Sequence, residues 1–266
     1  MSNHRLRAAS LSAVAAVVGV LLTSCAGSTP STTDPAASRR QSATVTTATT
    51  PPTATPAPKR ERDRRVYVAV GASETVGVGA DDPRHHAWPT LLHRNALPSS
   101  SYVNVGVSGS TLGEALSAQL PRALAAEPDV VSVWLAVNDI THLVPVEMYE
   151  AQLRMLVHQL RRGGRTTVLV GNVPPVNELP AYVACLPERA AADVPCRLPV
   201  VPPEAVVVKA VDAYNAAIDR VARAEGAEVV DLSVDRLAGL TSGDGFHPST
   251  AGHRLIARTF ARALET

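Results

Sequence analysis

The chain has 266 residues, of which 45% are hydrophobic and 18% charged, and its 25 Lys and Arg against 24 Asp and Glu leave a formal net charge of +1. Basic residues are scattered, so no electrostatic footprint for nucleic acid is present. Aromatics are only 3%, which leaves an aliphatic core of Ala, Val and Leu.

The chain opens on a processing signal. His4, Arg5 and Arg7 form a basic stretch, and Ala8 to Leu22 carry no charge. That apolar run falls short of the ~20 residues that span a bilayer. Leu22-Thr-Ser-Cys25 resembles the bacterial lipobox, which implies cleavage before Cys25 and a lipid on its new N-terminus. The competing reading is an ordinary secretory signal. A lipid on Cys25 would hold the protein at the outer face of the cell membrane, in the envelope, without spanning it.

From Ala26 to Arg65 the composition turns to Ser, Thr, Pro and Ala, 27 of 40 residues, with no apolar periodicity. Such a segment buries too little surface to offset the entropy of ordering and reads as a disordered tether. Its end-to-end distance would be roughly 35 Å. The run Lys59 to Arg65 mixes both charge signs and reads as a solvated linker end.

Residues 66–266 are of a size for one domain with a full core. Val66 to Gly71 is a β-branched apolar run that predicts a buried strand delivering Ser73 to its C-terminal tip. Alone, Ser73 reads as a turn or cap residue. His85 and His86 lack partners at metal-ligand spacing and read as a solvated loop, so no metal site is expected. Tyr102 to Gly106 predicts a second strand, followed by a loop in which Gly109 offers an unobstructed backbone N–H. Leu112 to Ala126 has helical periodicity that Pro121 should kink or restart.

Val130 to Ala136 predicts a third strand with Asn138 and Asp139 at its end. Tyr149, Leu153, Leu156, Val157 and Leu160 share one face of a helix that starts after Pro145 and ends at Gly163 and Gly164. Thr167 to Asn172 predicts a fourth strand, with Asn172 a candidate for shaping the pocket. The proline-rich insertion from Val173 to Glu204 lacks periodicity and reads as a loop that forms a lid or pocket wall. Val207, Val211, Tyr214, Ile218 and Val221 predict a helix after Pro202 and Pro203, and Ala227 to Leu232 a fifth strand. In Ser242 to Ser249, the spacing of Asp244 and His247 brings a carboxylate to the imidazole Nδ1 and leaves Nε2 to face a hydroxyl. Ser249 caps a last helix, in which His253 reads as a packing or surface residue. Alternating strands and helices imply an α/β fold, a parallel sheet of about five strands covered on both faces.

Taken together, Gly71-Ala-Ser73, Gly109, Asn138 in Ala-Val-Asn-Asp, and Asp244-x-x-His247 resemble, in order, the four blocks of the SGNH family, the GDSL-type esterases and lipases. Gln119 to Leu124, Gly171 to Pro174 and His247 to His253 match flanking stretches. The resemblance runs from about residue 66 to 264 and implies a three-layer α/β/α, flavodoxin-like hydrolase. It departs from the family at Ala72, where the family has Asp, and at Ala136, where it has Gly. The nucleophile-elbow pattern Gly-x-Ser-x-Gly is absent around Ser73.

The resemblance implies Ser73 as nucleophile, His247 as general base and Asp244 as the group that orients it. The Ser73 and Gly109 N–H groups and the Asn138 amide would form the oxyanion hole. The expected partner is a carboxylic ester; no cofactor is implied, and a monomer is expected. A non-catalytic glycan- or lipid-binding lipoprotein on the same scaffold, or an acyltransferase, would use the same blocks. With Cys25 assigned to lipid and an oxidising compartment, Cys185 and Cys196 remain as a pair and are expected to be bridged.

Overall fold

The structure is a computed structural model that describes residues 64–188, 194–233 and 237–265. The signal segment, Cys25, and the tether apart from Arg64 and Arg65 lie outside the described residues.

Five strands form one parallel sheet in the order β2-β1-β3-β4-β5: β1 (Val66–Gly71), β2 (Ser101–Asn104), β3 (Val130–Trp134), β4 (Thr167–Gly171) and β5 (Glu228–Val230). Each is one to three residues shorter than its apolar run or equal to it, because the last residues of the runs turn out of the ladder into the loops that carry the site. Between β1 and β2 lie α1 (Ser73–Val76), α2 (Pro83–His86) and α3 (Trp88–Ala96). Next come α4 (Leu112–Ala118) and α5 (Leu120–Ala125) before β3, α6 (Val137–Thr141) and α7 (Val146–Arg161) before β4, and α8 (Pro180–Val183) and α9 (Glu204–Glu225) before β5. The last helix is α10 (Thr250–Ala263). Pro121 breaks the third helical pattern as expected: α4 ends and α5 begins on either side of Gln119.

Period-two alternation along β1 splits the core into two layers. Val68 and Val70 face one cluster with Leu112 and Leu120 of α4 and α5, Leu153, Leu156 and Leu160 of α7, and Ile218 and Val221 of α9. Tyr67 and Ala69 face the other, with Trp88, Leu91 and Leu92 of α3 and Ile256 and Phe260 of α10. This is the three-layer arrangement. Full burial of each such aliphatic side chain stabilises by about 1.5–3 kcal/mol. The thinner layer compensates with aromatics: Trp88 stacks on Phe260 at 4.3 Å and meets Trp134 edge-on at 6.2 Å.

Strand order fixes where a ligand goes. The chain moves from β1 outward to β2, then back across β1 to β3, so the loops after β1 and β3 diverge and leave a crevice at the carboxyl edge. Ser73 follows β1, and Asn138 follows β3.

Candidate active site

Ser73 is the first residue of α1, where the leading N–H groups of a helix have no intrahelical acceptor. Its N–H is therefore available to a ligand while its side chain is buried to 7% exposure. The strand end beneath it is clamped by a residue that the sequence marks only as part of a flanking match. Gln119 is fully buried, accepts from the Gly71 N–H at 3.0 Å and donates to the Gly71 carbonyl at 3.0 Å. The same amide nitrogen donates to Ser110 Oγ at 3.1 Å, so one side chain ties the nucleophile strand to the loop containing Gly109. Its place at the helix break made by Pro121 marks the position in the sequence but not its partner. Gln119→Leu should strand the buried Gly71 N–H at roughly 1–3 kcal/mol, the Gly71 carbonyl keeping the Val107 N–H at 3.1 Å, and lower both the melting temperature and kcat, checked by calorimetry and ester kinetics on one preparation.

The histidine arrives on a turn closed by the Thr241–Pro248 bridge and by the Ser242 N–H donating to the His247 carbonyl at 2.7 Å. Gly79, with φ of 92°, lets the chain after α1 lie against this turn; a Cβ there would sit 2.3 Å from the Pro248 carbonyl oxygen. As a result His247 Nε2 is 3.0 Å from Ser73 Oγ, and Nδ1 is 2.6 Å from Asp244 Oδ2. Asp244 Oδ1 accepts from Ser242 Oγ at 2.8 Å and from the Phe246 and His247 N–H groups at 2.9 Å. Burial pushes the Asp244 carboxyl up, but the hydrogen bonds from His247, Phe246 and Ser242 outweigh it and hold it down at about 2. The carboxylate is thus ionised wherever the imidazole is needed as a base.

His253 is buried beneath this turn and is a packing residue. Its Nδ1 accepts from the Trp88 N–H at 3.3 Å, which leaves Nε2–H to donate to the Val78 carbonyl at 3.1 Å. Burial lowers its pKa and keeps it neutral.

Gly109 is exposed, and a Cβ on it would meet nothing within 4 Å, so its backbone is open to approach. Asn138 in α6 donates one amide hydrogen to the Ser110 carbonyl at 3.0 Å, which fixes the plane of the amide and leaves the second hydrogen for another acceptor. Asp139 beside it serves the fold, since both its oxygens accept from the Leu112 N–H at 3.1 Å at the start of α4. Burial raises its pKa to about 6.

Two cavities lie beside the residue after the nucleophile and share Glu74, Trp134 and Val137 in their walls. The larger, about 360 Å³ and open to solvent, runs along Trp134, Pro174, Val176, Leu179, Phe246 and Pro248. The smaller, about 230 Å³ and likewise open to solvent, is walled by Ala72, Glu74, Leu135, Ala136 and Asn138. The two departures, Ala72 and Ala136, thus shape one cavity.

Other expectations need correction. Asn172 does not line either cavity; it donates to Asp231 Oδ1 at 2.8 Å and accepts from the Leu232 N–H at 2.7 Å, stitching the ends of β4 and β5. The segment 173–204 is not wholly irregular, because Val176–Glu178 forms a 3₁₀ turn and Pro180–Val183 is α8; such single turns are too short to show periodicity. It does wall the cleft. The Ala181 N–H donates to the Gly245 carbonyl at 3.0 Å, and Cys185 is bonded to Cys196, so the wall is fastened to the turn between Asp244 and His247. His85 and His86 lie in α2, where His85 Nδ1 is 2.7 Å from Asp82 Oδ2. Among the described residues no group of three His, Cys, Asp or Glu could hold a metal ion.

The chain matches the family described as GDSL-like lipase/acylhydrolase over residues 69–255. Among solved structures it is similar to the lipase/acylhydrolase from Enterococcus faecalis, with a TM-score of 0.58 and 20% identity over 76% of this chain and 95% of that one. It is also similar to the psychrotrophic esterase EstA from Pseudoalteromonas sp., with a TM-score of 0.56 and 16% identity over 76% of this chain and 97% of that one. No curated protein matches it in sequence.

Proposed function

Since the chain belongs to the GDSL-like lipase/acylhydrolase family and is thereby a serine ester hydrolase, we propose that it cleaves carboxylic esters outside the cytoplasm through an acyl-enzyme on Ser73. The observation that carries this reading is the Ser73–His247–Asp244 relay, with contacts of 3.0 and 2.6 Å, at the switch point of the sheet. Ser73 Oγ attacks the ester carbonyl carbon as His247 Nε2 takes its proton. The alcohol C–O bond then breaks, and His247 returns the proton to the departing oxygen. Water repeats the cycle on the acyl-enzyme. A fluorophosphonate probe tests the reading: it should modify the wild-type protein on the peptide containing Ser73, and a panel of activated esters should be turned over. An unlabelled, inert, folded protein would sink it.

The oxyanion of the tetrahedral intermediate is assigned to the Ser73 and Gly109 N–H groups and the Asn138 amide. Asn138→Ala should lower kcat by about 10²–10³ with little change in KM, because the contact strengthens only in the transition state. A value within a few-fold of wild type on an ester whose chemistry is slow removes Asn138 from the hole.

The location rests on sequence. Leu22-Thr-Ser-Cys25 supports lipidation of Cys25, with residues 26–65 as a tether and the domain above the membrane. No helix among the described residues is long and apolar enough to cross a membrane. Wild-type protein should partition into detergent and Cys25→Ser should not. Recovery of a wild-type N-terminus downstream of Cys25 removes the anchor.

A further inference from the structure

The residue after the nucleophile does not fit a pocket for plain alkyl chains. Glu74 lines both cavities, and it is the only ionisable side chain among the residues that do. Its neighbours there include Trp134 and Val137 in both cavities, with Ala72 and Ala136 on one side and Leu179 and Phe246 on the other. It is half-buried, and among the described residues no Lys or Arg is ion-paired with it. Burial pushes its pKa up, the charge on Asp244 adds to this, and its own backbone N–H, His247 and Ser73 oppose the rise. Covering this carboxyl with a hydrocarbon would remove its remaining water and give nothing back, which costs far more than the same surface with an apolar side chain. A ligand that brings a hydrogen-bond donor reverses the sign of that cost.

The two cavities also differ in what chemistry they serve. The larger is lined by Phe246 and Pro248, the sequence neighbours of His247, and on that ground is assigned to the departing alcohol, which receives the proton from Nε2. The smaller is bordered by Ala72 and Glu74, on either side of Ser73, and by Asn138. With both sequence neighbours of Ser73 and the Asn138 amide in its wall, it is assigned to the acyl group while that group is covalently held.

Resting on the esterase reading, we propose that Glu74 is a specificity residue and that the preferred substrate is an ester of a short acyl group bearing a hydrogen-bond donor, an ammonium or a hydroxyl, near its carbonyl. The carboxyl of Glu74 accepts that donor and holds the acyl carbon against Asn138. No covalent step is added to the mechanism.

The test uses three p-nitrophenyl esters of nearly equal shape, isobutyryl, lactyl and alanyl, in which one position is methyl, hydroxyl or ammonium. Each is assayed with wild type, Glu74→Gln and Glu74→Leu. Intrinsic reactivity cancels when kcat/KM ratios are compared between proteins. If the donor is an ammonium, the alanyl-to-isobutyryl ratio should fall by about tenfold to a hundredfold in both variants. If it is a hydroxyl, the lactyl-to-isobutyryl ratio should fall in Glu74→Leu and be largely kept in Glu74→Gln, whose amide oxygen still accepts. Ratios unchanged in both variants overturn the inference. Turnover of isobutyryl ester and labelling of Ser73 in the wild type stand apart from these ratios, so their loss marks failure of the esterase reading itself. Glu74→Gln preserves shape, so the comparison survives if Glu74→Leu does not fold.

Discussion

Ser73→Ala is expected to lower kcat on a short activated ester by about 10⁴–10⁶ and to abolish fluorophosphonate labelling, while the fold persists. The size of the effect follows from what remains. The oxyanion donors and the cleft are intact without the hydroxyl, so binding survives and a residual rate above water is retained. What is lost is the atom placed 3.0 Å from His247 Nε2 to attack the carbonyl. The structural cost is small because Ser73 Oγ spends its hydrogen bond on His247 within the cleft and does not cap α1, which has no side-chain cap. A loss near 1 kcal/mol would move the melting temperature by roughly 2–4 °C in a domain of this size. Labelling retained in Ser73→Ala would move the nucleophile elsewhere.

The reach of sequence reasoning follows a physical division. The buried strands were legible because a parallel sheet covered on both faces demands unbroken apolar runs, and Val66–Gly71 and Val130–Trp134 are fully internal apart from Val66. Ser73 and Asn138 each follow such a run but alone read as turn or cap residues, and only the order of four blocks resembling one family ties them to His247 and Asp244, whose spacing in a turn itself dictates the 2.6 Å contact. Gln119 was not, since its role is to satisfy the backbone of Gly71 across 48 residues of sequence, and no local pattern encodes a partner that distant. Asn172 stays an open candidate in the sequence for the same reason: a polar side chain at a strand end looks alike whether it faces the cleft or bonds to Asp231 and Leu232. Glu74 was overlooked because a lone acid at a helix start reads as favourable to the helix dipole, and only the cavity walls reveal what it faces.

Asp244→Asn should lower kcat by about 10⁴ with the fold retained, and the reason lies in the three donors on one oxygen. Ser242 Oγ and the Phe246 and His247 N–H groups all point at Oδ1, so an asparagine must place its carbonyl oxygen there. Its NH₂ then occupies the position of Oδ2 and donates to His247 Nδ1. That fixes the proton on Nε2, which must donate to Ser73 Oγ and can no longer accept from it. The variant therefore holds the geometry and inverts the tautomer. Asp244→Ala leaves the ring free to take either tautomer but strands the three donors, so it should cost stability where Asp244→Asn costs little. Acid unfolding separates both from the wild type. A carboxylate whose folded pKa is depressed to about 2 adds stability above its unfolded value near 3.9 and loses it as pH falls toward 2, a contribution muted here because the Asp244 side chain is 38% exposed. Asp244→Asn should flatten the melting temperature against pH across that window while leaving the rate near 10⁻⁴ of wild type at neutral pH. An Asp244→Asn protein with a rate within tenfold of wild type would mean that His247 does not depend on Asp244 for its tautomer.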